Sequence, residues 1–137
     1  MEMLPSGLPE RVADEEDLAR FLMSSSQFNS RMAKPSAFLP EPKTRDTSVF
    51  RHGREPLENL WAIGNQHVAQ GRNIHGAAIL TARDVRTSRL EVIADEPPPK
   101  HAAIRNWPWI ENDPELRKAQ QKELANLLAS KAVLLTK

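Results

Sequence analysis

The 137-residue chain contains no cysteine and no tyrosine, and it has only five glycines. Without cysteine there is no disulfide, no thiolate nucleophile and no zinc–thiolate centre. Without tyrosine there is no phenolic acid–base chemistry, and stacking on a base would fall to four phenylalanines, three tryptophans or a histidine. Scarce glycine also argues against phosphate-cradling loops. Neither G-x-x-x-x-G-K-[ST] nor G-x-G-x-x-G occurs, and the G-x-S-x-G nucleophile elbow is missing. The four histidines form no H-x-x-x-H or H-E-x-x-H pair, and no Asp-x-Asp calcium loop is present, so neither a metal nor a cofactor is expected.

Strong charge of one sign is also missing. A formal net charge of +1 gives no general attraction to nucleic acid or acidic membranes. No apolar run approaches the ~18 residues of a membrane span. The stretch MEMLPSGLPE has no basic region leading into an apolar one, so a cytoplasmic protein is expected. With 39% hydrophobic and 27% charged residues, the composition is that of one soluble globular domain.

Proline is abundant, at eleven residues, and it punctuates the chain. Residues 1–13 carry two prolines and a glycine without periodicity, which predicts a flexible arm before a single domain at 14–137. Asp14 as N-cap, acids at 15–17, and Leu18, Phe21 and Leu22 at helical spacing predict a first helix. KPSAFLPEP at 34–42 predicts an extended segment anchored by Ala37, Phe38 and Leu39. TSVFR at 47–51 predicts a strand. Pro56 opens a second helix whose face is Leu57, Leu60, Trp61, Gly64 and Val68, with Gly71 at its C-cap.

IHGAAIL at 74–80 and LEVIA at 90–94 predict two more strands, with a short helix between them capped by Thr81 and Asp84. PPPKHAAIRNWPW at 97–109 predicts a rigid connection. Asp113-Pro114 starts a long helix with Leu116, Ala119, Leu124, Leu127 and Leu128 as its apolar stripe, and AVLLT at 132–136 predicts a closing strand. The expected fold class is α+β or α/β, with a small sheet of about four strands covered by two or three helices.

Three groups of residues carry candidate chemistry. The histidines His52, His75 and His101 fall near strand ends or at the proline corner. Two of them, with Arg51 and Lys100, could act as base, acid and oxyanion holder on a phosphate-bearing substrate such as RNA or a nucleotide. His67, inside the second helix, is expected to be structural or exposed. Against the catalytic reading stands the commoner role of such histidines, hydrogen bonding to loop backbone.

Four arginines against one acid between Gly71 and Leu90 form the second group. Arg83 and Arg86 are candidates to hold phosphate, although an exposed helix usually carries such charges in solvent. The third group is the corner itself, where Pro98, Pro99, Trp107 and Trp109 form a stiff, aromatic contact surface for a protein partner.

The segments S-A-F-x-P, S-V-F-R and H-A-x-I together resemble a type of short, uncharacterised bacterial protein of about this length. The resemblance runs from Asp14 onward, implies a whole protein and brings no activity with it. The first functional expectation is a protein-binding module, one component of a multi-protein complex, using the 97–109 corner and KPSAFLPEP. The second is a small metal-independent enzyme built on the His/Arg set. A nucleic-acid-binding accessory using the arginine helix ranks third, since no RNP-like pattern occurs.

Overall fold

The computed structural model describes residues 2–52 and 55–137. Among them six strands form one open sheet: β1 (Asp17–Leu22), β2 (Thr47–Arg51), β3 (Gly76–Thr81), β4 (Glu91–Ala94), β5 (His101–Arg105) and β6 (Val133–Thr136). Their order is β4-β5-β2-β1-β3-β6, and every neighbouring pair is antiparallel. Three helices accompany the sheet: α1 (Leu57–Gly64), α2 (Ala82–Thr87) and α3 (Pro114–Lys131). The fold is α+β as expected, with six strands in place of about four.

Both additional strands come from segments assigned otherwise. β1 replaces the expected first helix. Its burial pattern has two faces: Leu18 and Leu22 enter one core, while Ala19 and Phe21 enter the other. A strand buried on both sides shows an apolar run that also fits helical spacing, and the periodicity cannot separate the two. Asp14 does not cap a helix; its carboxylate accepts from Arg86 at 2.6 Å. β5 is the middle of the supposed proline corner. Its residues Ala102, Ala103 and Ile104 are buried between β4 and β2, and the prolines on either side concealed it.

The first sheet face packs under α2, α3 and the 3-10 turn Pro35–Phe38. KPSAFLPEP is therefore a tight turn followed by extended chain, with Ala37 and Phe38 buried and Leu39 exposed at 40%. The buried stripe of α3 is Gln121, Ala125, Leu128 and Ala129; the expected Leu116, Ala119 and Leu127 face solvent. Gln121 is held inside because its Nε2 donates to the Pro108 carbonyl at 2.8 Å. The α2 cap is the anticipated reciprocal box between Thr81 and Asp84.

The second face is covered only in part. α1 continues into a π turn, Asn65–Ala69, and these two pack Leu60 and Ala69 over Ala19, Phe21, Phe50 and Ala77. Gly64 permits the approach, since a Cβ there would lie 2.4 Å from Ile74 Cδ1 and 2.8 Å from Phe21 Cε1. Leu57, assigned to this face, is exposed, and Trp61 is half-buried rather than core. Gln70, not Gly71, closes the helical stretch in the left-handed region. Ser48 lies exposed on the central strand β2.

Candidate functional site

A groove of about 560 Å³ lies between the 34–40 segment and α3. Pro35, Leu39 and Pro40 supply apolar lining, and Lys34, Lys118 and Lys122 also line it with no acid among the lining residues. The helix places the two lysines one turn apart, on either side of the inward-turned Gln121. The prolines fix the opposite wall. KPSAFLPEP drew attention in the sequence through its prolines. The lysines of α3 did not, because they resemble any solvated helix face.

The aromatic corner is arranged differently from the expected contact surface. Trp107 is buried in the first core. Trp109 is half-buried, with the guanidinium carbons of Arg45 and Arg117 at 4.7 and 4.8 Å from its ring centroid. Both cations already occupy the ring, which removes it as an open anchor. Pro98 is half-buried and Pro99 exposed in the turn joining β4 to β5.

The expected His/Arg set is not assembled. Arg51 is buried, its guanidinium bound to both Glu16 carboxylate oxygens at 2.7 and 2.9 Å and to the carbonyls of Pro9 and Arg11. Its role is to tie residues 9–16 to the sheet. His75 is exposed at the start of β3, where its N–H donates to Leu22, whereas His101 pairs with Phe50 on β5. Strands β2 and β1 intervene, so the two lie more than about 14 Å apart by strand spacing alone. No substrate atom reaches both. Arg86 is engaged by Asp14 and Glu91 at 2.6 Å each, while Arg83 is exposed. The pair forms no phosphate clamp. Lys100 is paired with Glu55, whose carboxyl it holds below the ordinary range.

Two histidines do converge, on Phe50. His67 stacks on its ring at 6.1 Å and His101 meets it edge-on at 5.3 Å. His101 also has a hydrogen-bond partner at each ring nitrogen. Ser48 Oγ lies 2.5 Å from Nε2, and the Asp95 carbonyl lies 2.8 Å from Nδ1, with the Asp95 carboxylate at 3.4 Å. Ser48 carried no signal in the sequence, since a lone serine in a strand is unremarkable; Asp95 was visible there only as one of the acids near the proline corner.

His52 is buried, and among the described residues neither ring nitrogen has a hydrogen-bond partner. Burial pulls its pKa below the ordinary 6.5; Asp17 and Glu55 oppose that shift and Lys100 adds to it. Between 6.5 and the depressed folded value, the unfolded chain binds a proton that the folded chain does not. Stability is therefore full above that window and falls as pH drops through it. His52→Leu should raise stability by about 1 kcal/mol at neutral pH, because orphaned polar atoms cost about 1–3 kcal/mol. It should also flatten the acid-side loss. Urea midpoints of both proteins at about pH 7.5 and about pH 5.5 measure this; equal slopes with pH would refute it.

Among the described residues no cluster of three or more His, Asp or Glu is placed to hold a metal, and no helix is long and apolar enough to cross a membrane. The chain matches no protein family, no curated protein and no solved structure.

Proposed function

We propose that the protein is a partner-binding module that takes an extended, acidic segment with apolar anchors into the groove between residues 34–40 and α3. One observation carries the reading: an apolar lining of Pro35, Leu39 and Pro40 combined with three lysines and no acid. An apolar side chain of the partner displaces water from Leu39 while flanking carboxylates meet Lys34, Lys118 and Lys122. The proline-fixed wall lowers the ordering cost of binding. Of the two surfaces anticipated from sequence, KPSAFLPEP supports this role and the tryptophans do not. Nucleic acid is disfavoured because Trp107 is buried and Trp109 has two cations already placed against it, so neither indole of the corner is open to a base.

The test uses a fluorescent decapeptide of alternating glutamate and leucine, its lysine–leucine counterpart and an oligouridine of similar length. Anisotropy should show binding of the acidic peptide alone, weakening with added salt. The K118E/K122E double variant should weaken it at least about tenfold, and Leu39→Asp should remove most of the remainder. Equal binding of the two peptides, preference for the oligouridine, or no binding of the acidic peptide would each overturn the assignment.

A further inference from the structure

Around Ser48 on β2 the structure brings together a second set of groups, which meets the groove only at Leu39. We propose that Ser48 is a nucleophile, with His101 as its base and Asp95 and Phe50 as positioning residues, acting on small uncharged carboxylic esters.

The proton positions follow from the partners. The Asp95 carbonyl can only accept, so His101 Nδ1 carries the proton that fills the 2.8 Å contact. Nε2 then presents its lone pair, and Ser48 Oγ donates to it at 2.5 Å. This is the tautomer that general-base catalysis by a Ser–His pair requires. The Asp95 carboxylate, 3.4 Å from Nδ1, lies where it stabilises the imidazolium that forms. Phe50, edge-on to the imidazole, and the Asp95 N–H bond to the His101 carbonyl at 2.9 Å fix the ring and the turn.

Ser48 also faces a space. β1 and β2 pair only at Leu18–Arg51 and Ala19–Phe50 and then part. Arg20 spans the gap, donating from Nη1 to the Ser48 carbonyl at 2.9 Å and from Nε to the Ala37 carbonyl at 2.8 Å. The parting opens a cleft of about 360 Å³ in which Ser48 is a lining residue, beside Phe21, Leu39 and Val68. Thus the serine stands between its base on β5 and a cleft toward β1. Arg20 and Arg72 in that lining are matched by Glu41 and Asp46, so the cleft favours no substrate charge. Its volume suits a short acyl group.

In the reaction, Ser48 Oγ attacks the ester carbonyl carbon as its proton moves to His101 Nε2. The carbon–alkoxy bond breaks, Nε2 returns the proton to the leaving alkoxide, and an acyl-Ser48 ester remains. Water attacks that ester, giving its proton to Nε2. The carbon–Oγ bond breaks, Oγ regains the proton, and a carboxylic acid leaves. The sum is ester plus water to acid plus alcohol.

The experiment combines a fluorophosphonate probe with hydrolysis of p-nitrophenyl acetate by the full chain. The expected result is one covalent adduct, located at Ser48 by peptide mass spectrometry and absent from S48A. S48A should lose at least about 100-fold in ester hydrolysis while keeping its urea midpoint, because its side chain is exposed. H101A should lose about 100-fold and regain part of that with added imidazole. D95N should lower kcat about tenfold with KM unchanged, the pattern of a positioning residue rather than of a merely structural one. No adduct on the wild-type chain, an adduct on another residue, or S48A hydrolysing the ester at the wild-type rate would overturn the proposal.

Discussion

Arg51→Met should destabilise the protein by about 3–5 kcal/mol, the largest single-residue effect expected in the molecule. The methionine fills much of the same volume, so the loss reflects charge rather than a cavity. Arg51 has no exposed side-chain surface and Glu16 has little, and the guanidinium also satisfies the Pro9 and Arg11 carbonyls. Removing it leaves a largely buried carboxylate and two acceptors without their donor. Arg51→Lys keeps the charge but loses the planar fork, and should fall between wild type and R51M. The double variant R51M/E16L should recover part of the loss, since an apolar pair often replaces a buried ion pair at little cost. Urea unfolding of the four proteins measures the series. A parallel readout is tryptic cleavage after the exposed Arg11, which should quicken in R51M as residues 9–16 come loose. Unchanged midpoints in R51M would refute this account.

Gly76→Ala should cost about 3 kcal/mol, at the upper end of what overpacking produces. An added Cβ would lie 2.4 Å from the carbonyl oxygen of Leu135, which is backbone of β6 and cannot rotate away. Gly64→Ala is milder, because there the obstacles are the side chains of Ile74 and Phe21. The strand β6 is short, and two of its four residues are exposed. The alanine should therefore act by prising β6 from β3. Hydrogen exchange checks the mechanism: amides of β6 should lose protection in G76A while those of β5 keep theirs. Uniform loss across the sheet would contradict it.

How far the sequence led depends on whether local chemistry alone decided an element. The start of α3 was legible because Asp113 accepts from Leu116 N–H and Pro114 sits at the first position, both local rules. The α2 box was legible for the same reason. β1 was not, because DEEDLARFL satisfies helix rules in isolation. Its acids have other partners: Asp14 binds Arg86, and Glu16 binds Arg51, 72 and 35 residues away. Tertiary ion pairs overrode a plausible cap. β5 failed through its neighbours, since HAAIR is too short to stand out between PPP and WPW, yet it pairs on both sides. The same reasoning applies to the candidate sites. Leu39 and its prolines were visible as an unusual segment. Lys118 and Lys122 became informative only when α3 was laid against it, and the pairing of Ser48 with His101 depends on a register between β2 and β5 that no local pattern encodes.

The placement of the indoles has an optical consequence. Trp107 lies in the core beneath α2 and α3, while Trp61, on α1, packs half-buried against the smaller core. Each layer thus carries its own fluorophore, and Trp109, between two guanidinium groups, reports on the seam where α3 begins. Single-tryptophan versions of the chain would let the two sides of the sheet be watched separately during melting, and would show which side gives way first.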